Sequence, residues 1–86
     1  MFSQRFGRPV VLTLHARRRM AERSIGEDIL LKLIERGTVR HKDERRLWIA
    51  GHFPDRQDNL LCIAVVLEEA VVIKTVMHHF VWEPQA

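Results

Sequence analysis

Leu12, Ala16 and Met20 recur every fourth residue with charged residues between them. That spacing predicts an apolar stripe on a helix running from about Leu12 to Glu22, with Thr13 as a candidate N-cap. Ser24-Ile25-Gly26-Glu27 has the spelling of a capping box, in which hydroxyl and carboxylate satisfy each other's backbone donors; Gly26 is the alternative cap. A second helix then runs to about Arg36, with Ile29, Leu30, Leu33 and Ile34 on one face. Glu27 and Asp28 lie at its positive end, Arg36 lies at its negative end, and Gly37 supplies the stop.

Beyond Gly37 the pattern shortens to that of strands. Thr38 to His41 reads as a short strand, Lys42-Asp43-Glu44 as a charged turn, and Arg45 to Phe53 as a strand centred on Leu47, Trp48 and Ile49. In that run Trp48 reads as a core aromatic. Pro54 to Asn59 carries turn chemistry. Leu60 to Leu67 is almost wholly apolar, as expected of a central strand covered on both faces, and Glu68-Glu69 turns the chain into a last strand from Val71 to about Trp82. Residues 1–10, with Gly7 and Pro9 and no sustained period, read as an arm; residues 11–82 form one domain and 83–86 a tail. The expected fold is α+β, with two N-terminal helices packed on one face of a three- or four-stranded antiparallel meander.

Composition narrows the setting. The chain's 86 residues make one small domain, and no apolar run approaches the roughly 20 residues that span a bilayer. No apolar stretch follows Arg5 and Arg8 as a secretory signal requires, and a single cysteine, Cys62, forms no intrachain disulfide. A cytoplasmic location without membrane contact is the expectation. Net charge is only +3, but residues 1–23 hold six arginines against one acid, Glu22. Such a lopsided, arginine-rich start makes nucleic acid, or an acidic partner protein, the leading class of ligand without choosing between them. A domain this small also leaves room for a homodimer.

The chemistry concentrates on the first helix. His15, Arg19 and Arg23 follow one another at four-residue spacing and sweep some 80° of its circumference. They border the apolar stripe, with Arg23 inside it, whereas Arg17 and Arg18 fall outside it as solvated charges for a phosphate backbone. An imidazole moves protons near neutral pH, and a guanidinium offsets the charge that grows on phosphate oxygens. These are parts for metal-independent RNA cleavage. His15, Arg19 and Arg23 are the candidate catalytic residues, with His78 as second proton-transfer group and Lys74 on the same strand as a candidate RNA contact. The alternative is a set of structural ion pairs with Glu22, Glu27 or Asp28, and a basic helix that docks on a partner without catalysis. His78 and His79 fall on opposite faces of a strand, and His41 and His52 offer no ligand spacing, so neither metal nor cofactor is expected. Trp82 reads as an exposed or dimer-buried ring.

The segment from His15 to Ile25 (His-Ala-Arg-Arg-Arg-Met-Ala-Glu-Arg-Ser-Ile) resembles the H-A-x-x-R-M-x-x-R-x-I signature that opens a family of small uncharacterised bacterial domains. Val72-Ile73-Lys74-Thr75-Val76 resembles that family's closing strand, so the likeness spans residues 12–78. The family is similar in layout to RelE-like and BrnT-like toxins and, more broadly, to barnase and colicin-type ribonucleases. That resemblance implies a helix pair on a twisted antiparallel sheet, metal-free RNA cleavage, and site positions at His15, Arg19, Arg23 and Thr75. The chain contains no tyrosine, so a RelE-type mechanism built on one is not open to it.

Overall fold

The chain begins in strand and builds more sheet than helix. The computed structural model describes residues 1–53 and 60–78, apart from the side chains of Leu60 and His78. In chain order the elements are β1 (Phe2–Ser3), β2 (Arg8–Leu12), α1 (Leu14–Glu22), α2 (Glu27–Arg36), β3 (Thr38–His41), β4 (Arg46–His52), β5 (Leu60–Leu67) and β6 (Val71–His78). The six strands form one curled sheet in the order β1-β2-β6-β5-β4-β3. Neighbours are antiparallel except β2 and β6, which run parallel with Val10 opposite Val71 and Leu12 opposite Ile73.

This overturns the expected RelE- or barnase-like layout of two N-terminal helices on a three- or four-stranded antiparallel meander. The first two strands precede the helices, and the parallel pair makes the sheet mixed. Residues 1–10 hide their strands because β1 is two residues long and Gly7, at φ +63, turns the chain between the two strands. Too few positions alternate there to display a period. β3, β4, β5 and β6 do form the expected antiparallel run.

Both helices pack against one face. Ala16 and Met20 of α1 and Leu30, Leu33 and Ile34 of α2 join Leu47, Ile49, Leu61, Ile63, Val65, Val71, Ile73 and Val76 in a single buried cluster. Trp48 departs from the core reading. Its neighbours Leu47 and Ile49 are fully buried, whereas alternation turns the indole to the opposite face, where it is 37% exposed.

The helix ends follow a different chemistry from the one their spelling suggests. Ser24 takes a left-handed φ of 54. The Ile25 amide donates to Met20 O at 2.9 Å and the Ser24 amide to Ala21 O at 3.4 Å, so this stretch closes α1 rather than opening α2. Gly26 is the N-cap of α2, without a side-chain cap bond. Gly37 does end α2, yet its φ of −68 is ordinary. Its hydrogen is required by space: a Cβ there would lie 2.5 Å from Ile49 Cγ2 and 2.6 Å from Leu33 O.

The curl brings the first hairpin onto the end of α2. The Gln4 and Arg5 amides donate to the two Glu35 carboxylate oxygens at 2.8 and 2.7 Å. The Arg5 guanidinium donates to Ile34 O at 3.2 Å and Gly37 O at 2.7 Å, taking up carbonyls at the helix terminus. At the β3–β4 turn, Asp43 accepts the Arg45 and Arg46 amides at 2.9 and 2.7 Å and the Arg46 Nε at 2.7 Å. The backbone donors of Arg46 and Arg45, helped by the Arg46 side chain, hold its carboxyl down from 3.8 to about 2.

Two outcomes follow from these contacts. Gly37→Ala is expected to lower the free energy of unfolding by about 1–3 kcal/mol in urea titration, because Leu33 O cannot withdraw without breaking the helix end. The folded Asp43 carboxyl titrates below its unfolded value, so its stabilisation is complete above the 3.8 of the unfolded group and is lost as pH falls towards about 2. Asp43→Asn is therefore expected to flatten that part of the acid-unfolding curve and leave the neutral-pH slope unchanged.

Candidate phosphate site on the seam of the first helix and last strand

The site is built from the way β2 ends. Its pairing with β6 stops at Leu12 opposite Ile73. Beyond that point the edge of β6 turned away from β5 has α1 beside it instead of a strand. Backbone groups there still need partners. The Thr13 amide donates to Ile73 O at 3.2 Å and the Thr13 hydroxyl to Lys74 O at 3.1 Å. The same hydroxyl oxygen accepts the Ala16 amide at 3.1 Å, so Thr13 caps α1 while tying it to β6. At the far end of the helix, the half-buried Arg23 guanidinium donates to Val76 O at 3.0 Å.

Between these anchors lies His15. Its Nε2 and the Thr75 Oγ1 share a hydrogen bond of 3.0 Å, with the tautomer deciding which one donates. His15 is exposed and Thr75 half-buried, so the pair is open to solvent from above. A register shift helps to put Thr75 there. Ile73 opposes Val65 and Thr75 opposes Ala64, leaving Lys74 unopposed as an exposed bulge. Alternation without this bulge would give the wrong facing for every residue after Ile73, which explains why the sequence pattern left the inner face of this strand open.

Arg19, one turn beyond His15, is held by an ion pair to Glu22 at 3.4 Å, with both side chains about half exposed. A pair of this kind holds an arginine by well under ~1 kcal/mol. Its guanidinium can turn to a phosphate at little cost. Arg17 and Arg18 are exposed on the outer side of the helix and Lys74 is exposed beside Thr75. The structure thus joins His15 to Thr75 and Arg23 to Val76 O along one seam, with Arg19 one turn beyond His15 on α1 and paired with Glu22, and Lys74 next to Thr75 in the chain. His78 continues the same strand, with its side chain outside the described residues, as are His79 and Trp82.

Elsewhere the described surface offers less chemistry. An open depression of about 610 Å³ is lined by Asp43, Glu44, Arg45, Arg46, Val66 and Glu68, where Arg45 pairs with Glu68 and Arg46 with Asp43. A smaller one, about 280 Å³, lies by Lys32, Arg36, His52 and Phe53. Among the described residues, no three His, Cys, Asp or Glu side chains come together as metal ligands. No helix among them is long and apolar enough to cross a membrane. Cys62 is buried, and desolvation pushes its thiol up to about 12, so it stays protonated and unreactive.

The family model for a domain of unknown function, DUF4258, matches residues 12–78. The chain belongs to this family. The matched span of the DUF4258 domain opens at the last residue of β2 and closes at the last of β6, so it contains the whole seam. It leaves out β1 and most of β2, the hairpin that closes the sheet on α2. No curated protein and no solved structure matches the chain.

The two helix arginines are expected to separate in a stability assay. Arg23→Ala leaves a half-buried carbonyl without its charged donor and is expected to cost about 2 kcal/mol in urea unfolding. Arg19→Ala removes only an exposed pair and is expected to change stability by less than about 0.5 kcal/mol.

Proposed function

We propose that this domain is a toxin-like RNA-processing protein, a metal-independent endoribonuclease working at the His15–Thr75 seam. One observation carries the reading: an exposed imidazole held at 3.0 Å from a strand hydroxyl, with a weakly committed arginine one turn away. The ring is exposed to solvent while its Nε2 is engaged with Thr75, which leaves Nδ1 to meet a substrate.

In the proposed reaction a ribose 2′-hydroxyl attacks the adjacent phosphorus. The 2′-oxygen–phosphorus bond forms, the bond to the 5′-oxygen breaks, and a cyclic phosphate results. His15 takes the 2′-hydroxyl proton, and Thr75 sets the orientation of its ring. Arg19 leaves Glu22 to offset charge on the phosphate oxygens as phosphorus becomes five-coordinate. The departing 5′-oxygen takes a proton from an acid, for which His78 is the candidate. Arg23 acts as a positioning residue, because its guanidinium is engaged with Val76 O. Arg17, Arg18 and Lys74 supply the sequence-independent attraction to neighbouring phosphates.

The test is cleavage of end-labelled RNA in EDTA by folded protein. Wild type is expected to cut, and His15→Ala and Arg19→Ala to lose about 10² or more of the rate, with thermal unfolding unchanged for Arg19→Ala. Intact RNA with free protein and with ribosomes alike would end the enzymatic reading. The basic helix would then be a docking surface for RNA or for an acidic protein.

A further inference from the structure

The sheet has a second face, and one row of residues crosses it to the seam. Arg40 of β3 is opposite Trp48 of β4, Trp48 is opposite Ala64 of β5, and Ala64 is opposite Thr75 of β6. Directly opposed residues share a face. The row therefore runs from Arg40 across Trp48 and Ala64 to Thr75, where His15 is bound. It lies on the face turned away from the helices, since the residues flanking Trp48 and Ala64 in their strands (Leu47, Ile49, Ile63 and Val65) are the ones in the helix-packed core.

We propose that this row binds single-stranded RNA, with an unpaired base stacked on Trp48 while a phosphate close by in the same strand occupies the His15–Thr75 seam. The inference rests on the RNA reading above and names its substrate class. Three features of the row support it. An interior strand position normally hides a large aromatic ring, yet Trp48 remains 37% exposed on β4, which is paired on both sides. Ala64, the residue between indole and hydroxyl in this row, carries only a methyl group and is half-buried. Two strand spacings separate Trp48 from Thr75, about 10 Å, short enough for one extended strand to touch both. Basic side chains flank the row, with Arg40 at one end and the arginines of α1 at the other, which matches the charge of a phosphate backbone crossing the sheet. A duplex keeps its base faces stacked inside the helix and has none to offer the indole, so the ring selects single strands.

Binding can be separated from cleavage with a labelled 2′-O-methyl oligonucleotide, which lacks the attacking hydroxyl and is not cut. Fluorescence anisotropy at low salt is read for this strand and for the same sequence as a duplex. Wild type is expected to prefer the single strand. Trp48→Ala is expected to weaken single-strand binding about tenfold or more while leaving duplex binding unchanged, and Trp48→Phe to retain most of the affinity. The double variant Arg17→Gln, Arg18→Gln is expected to weaken both forms together. If Trp48→Ala binds the single strand as wild type does while the arginine variant loses it, the stacking inference falls and the RNA reading stands. If wild type binds neither form, both fall. If Trp48→Ala leaves RNA binding untouched and instead breaks up a self-associated species in sedimentation, the ring is a protein contact and the inference is overturned.

Discussion

The strand β6 loses its parallel neighbour at Ile73 and still has carbonyls to satisfy. The chain solves this within a few residues by turning from β2 directly into α1 and laying that helix along the open edge. Thr13 takes up two of the carbonyls, from its amide and its hydroxyl, and Arg23 takes up a third from the other end of the helix. With both ends fixed, the rotation of α1 about its axis is fixed too. Ala16 and Met20 must then face the core, and His15 must stand over Thr75. Edge protection and site geometry are thus one arrangement.

That arrangement divides labour among residues that look alike in the sequence. Arg19 and Arg23 are one helical turn apart, yet one is held by a solvent-screened pair and the other by a half-buried carbonyl. Only the first can change partners cheaply. At the other side of the molecule, Arg5 and Glu35 repeat the logic of Arg23: charged groups bind backbone donors and acceptors, and here they hold the first hairpin against the end of α2. The hairpin lies outside the residues that the family model matches, whereas its partner Glu35 lies inside them.

Much of the inner architecture was legible from residue spacing. Thr13 caps the first helix, Gly26 caps the second, and the antiparallel run of β3 to β6 follows the apolar pattern. The grouping of His15, Arg19 and Arg23 on the border of the apolar stripe is what brings them to the seam. What the sequence concealed shares a physical cause: departures from regular period. β1 and β2 are too short to alternate visibly, and the parallel pairing of β2 with β6 joins residues some sixty positions apart. The Lys74 bulge inverts facing partway along β6, and Trp48 sits between two core residues in sequence while occupying the opposite face. Ser24 spelled a helix start but closes the preceding helix, because its left-handed conformation lets the Ile25 amide reach back to Met20.

The proposed function requires a phosphate chain to bind at the seam. The most direct measurement is a chemical-shift map of the protein, side-chain imidazole and indole signals included, during titration with a short uncleavable single-stranded RNA. Movement of the His15 ring, Thr75 and the Trp48 indole is expected as one binding event, with Lys32 and Arg36 on the helix face unmoved. Shifts confined to the depression beside Lys32 and Arg36, with His15 still, would contradict it.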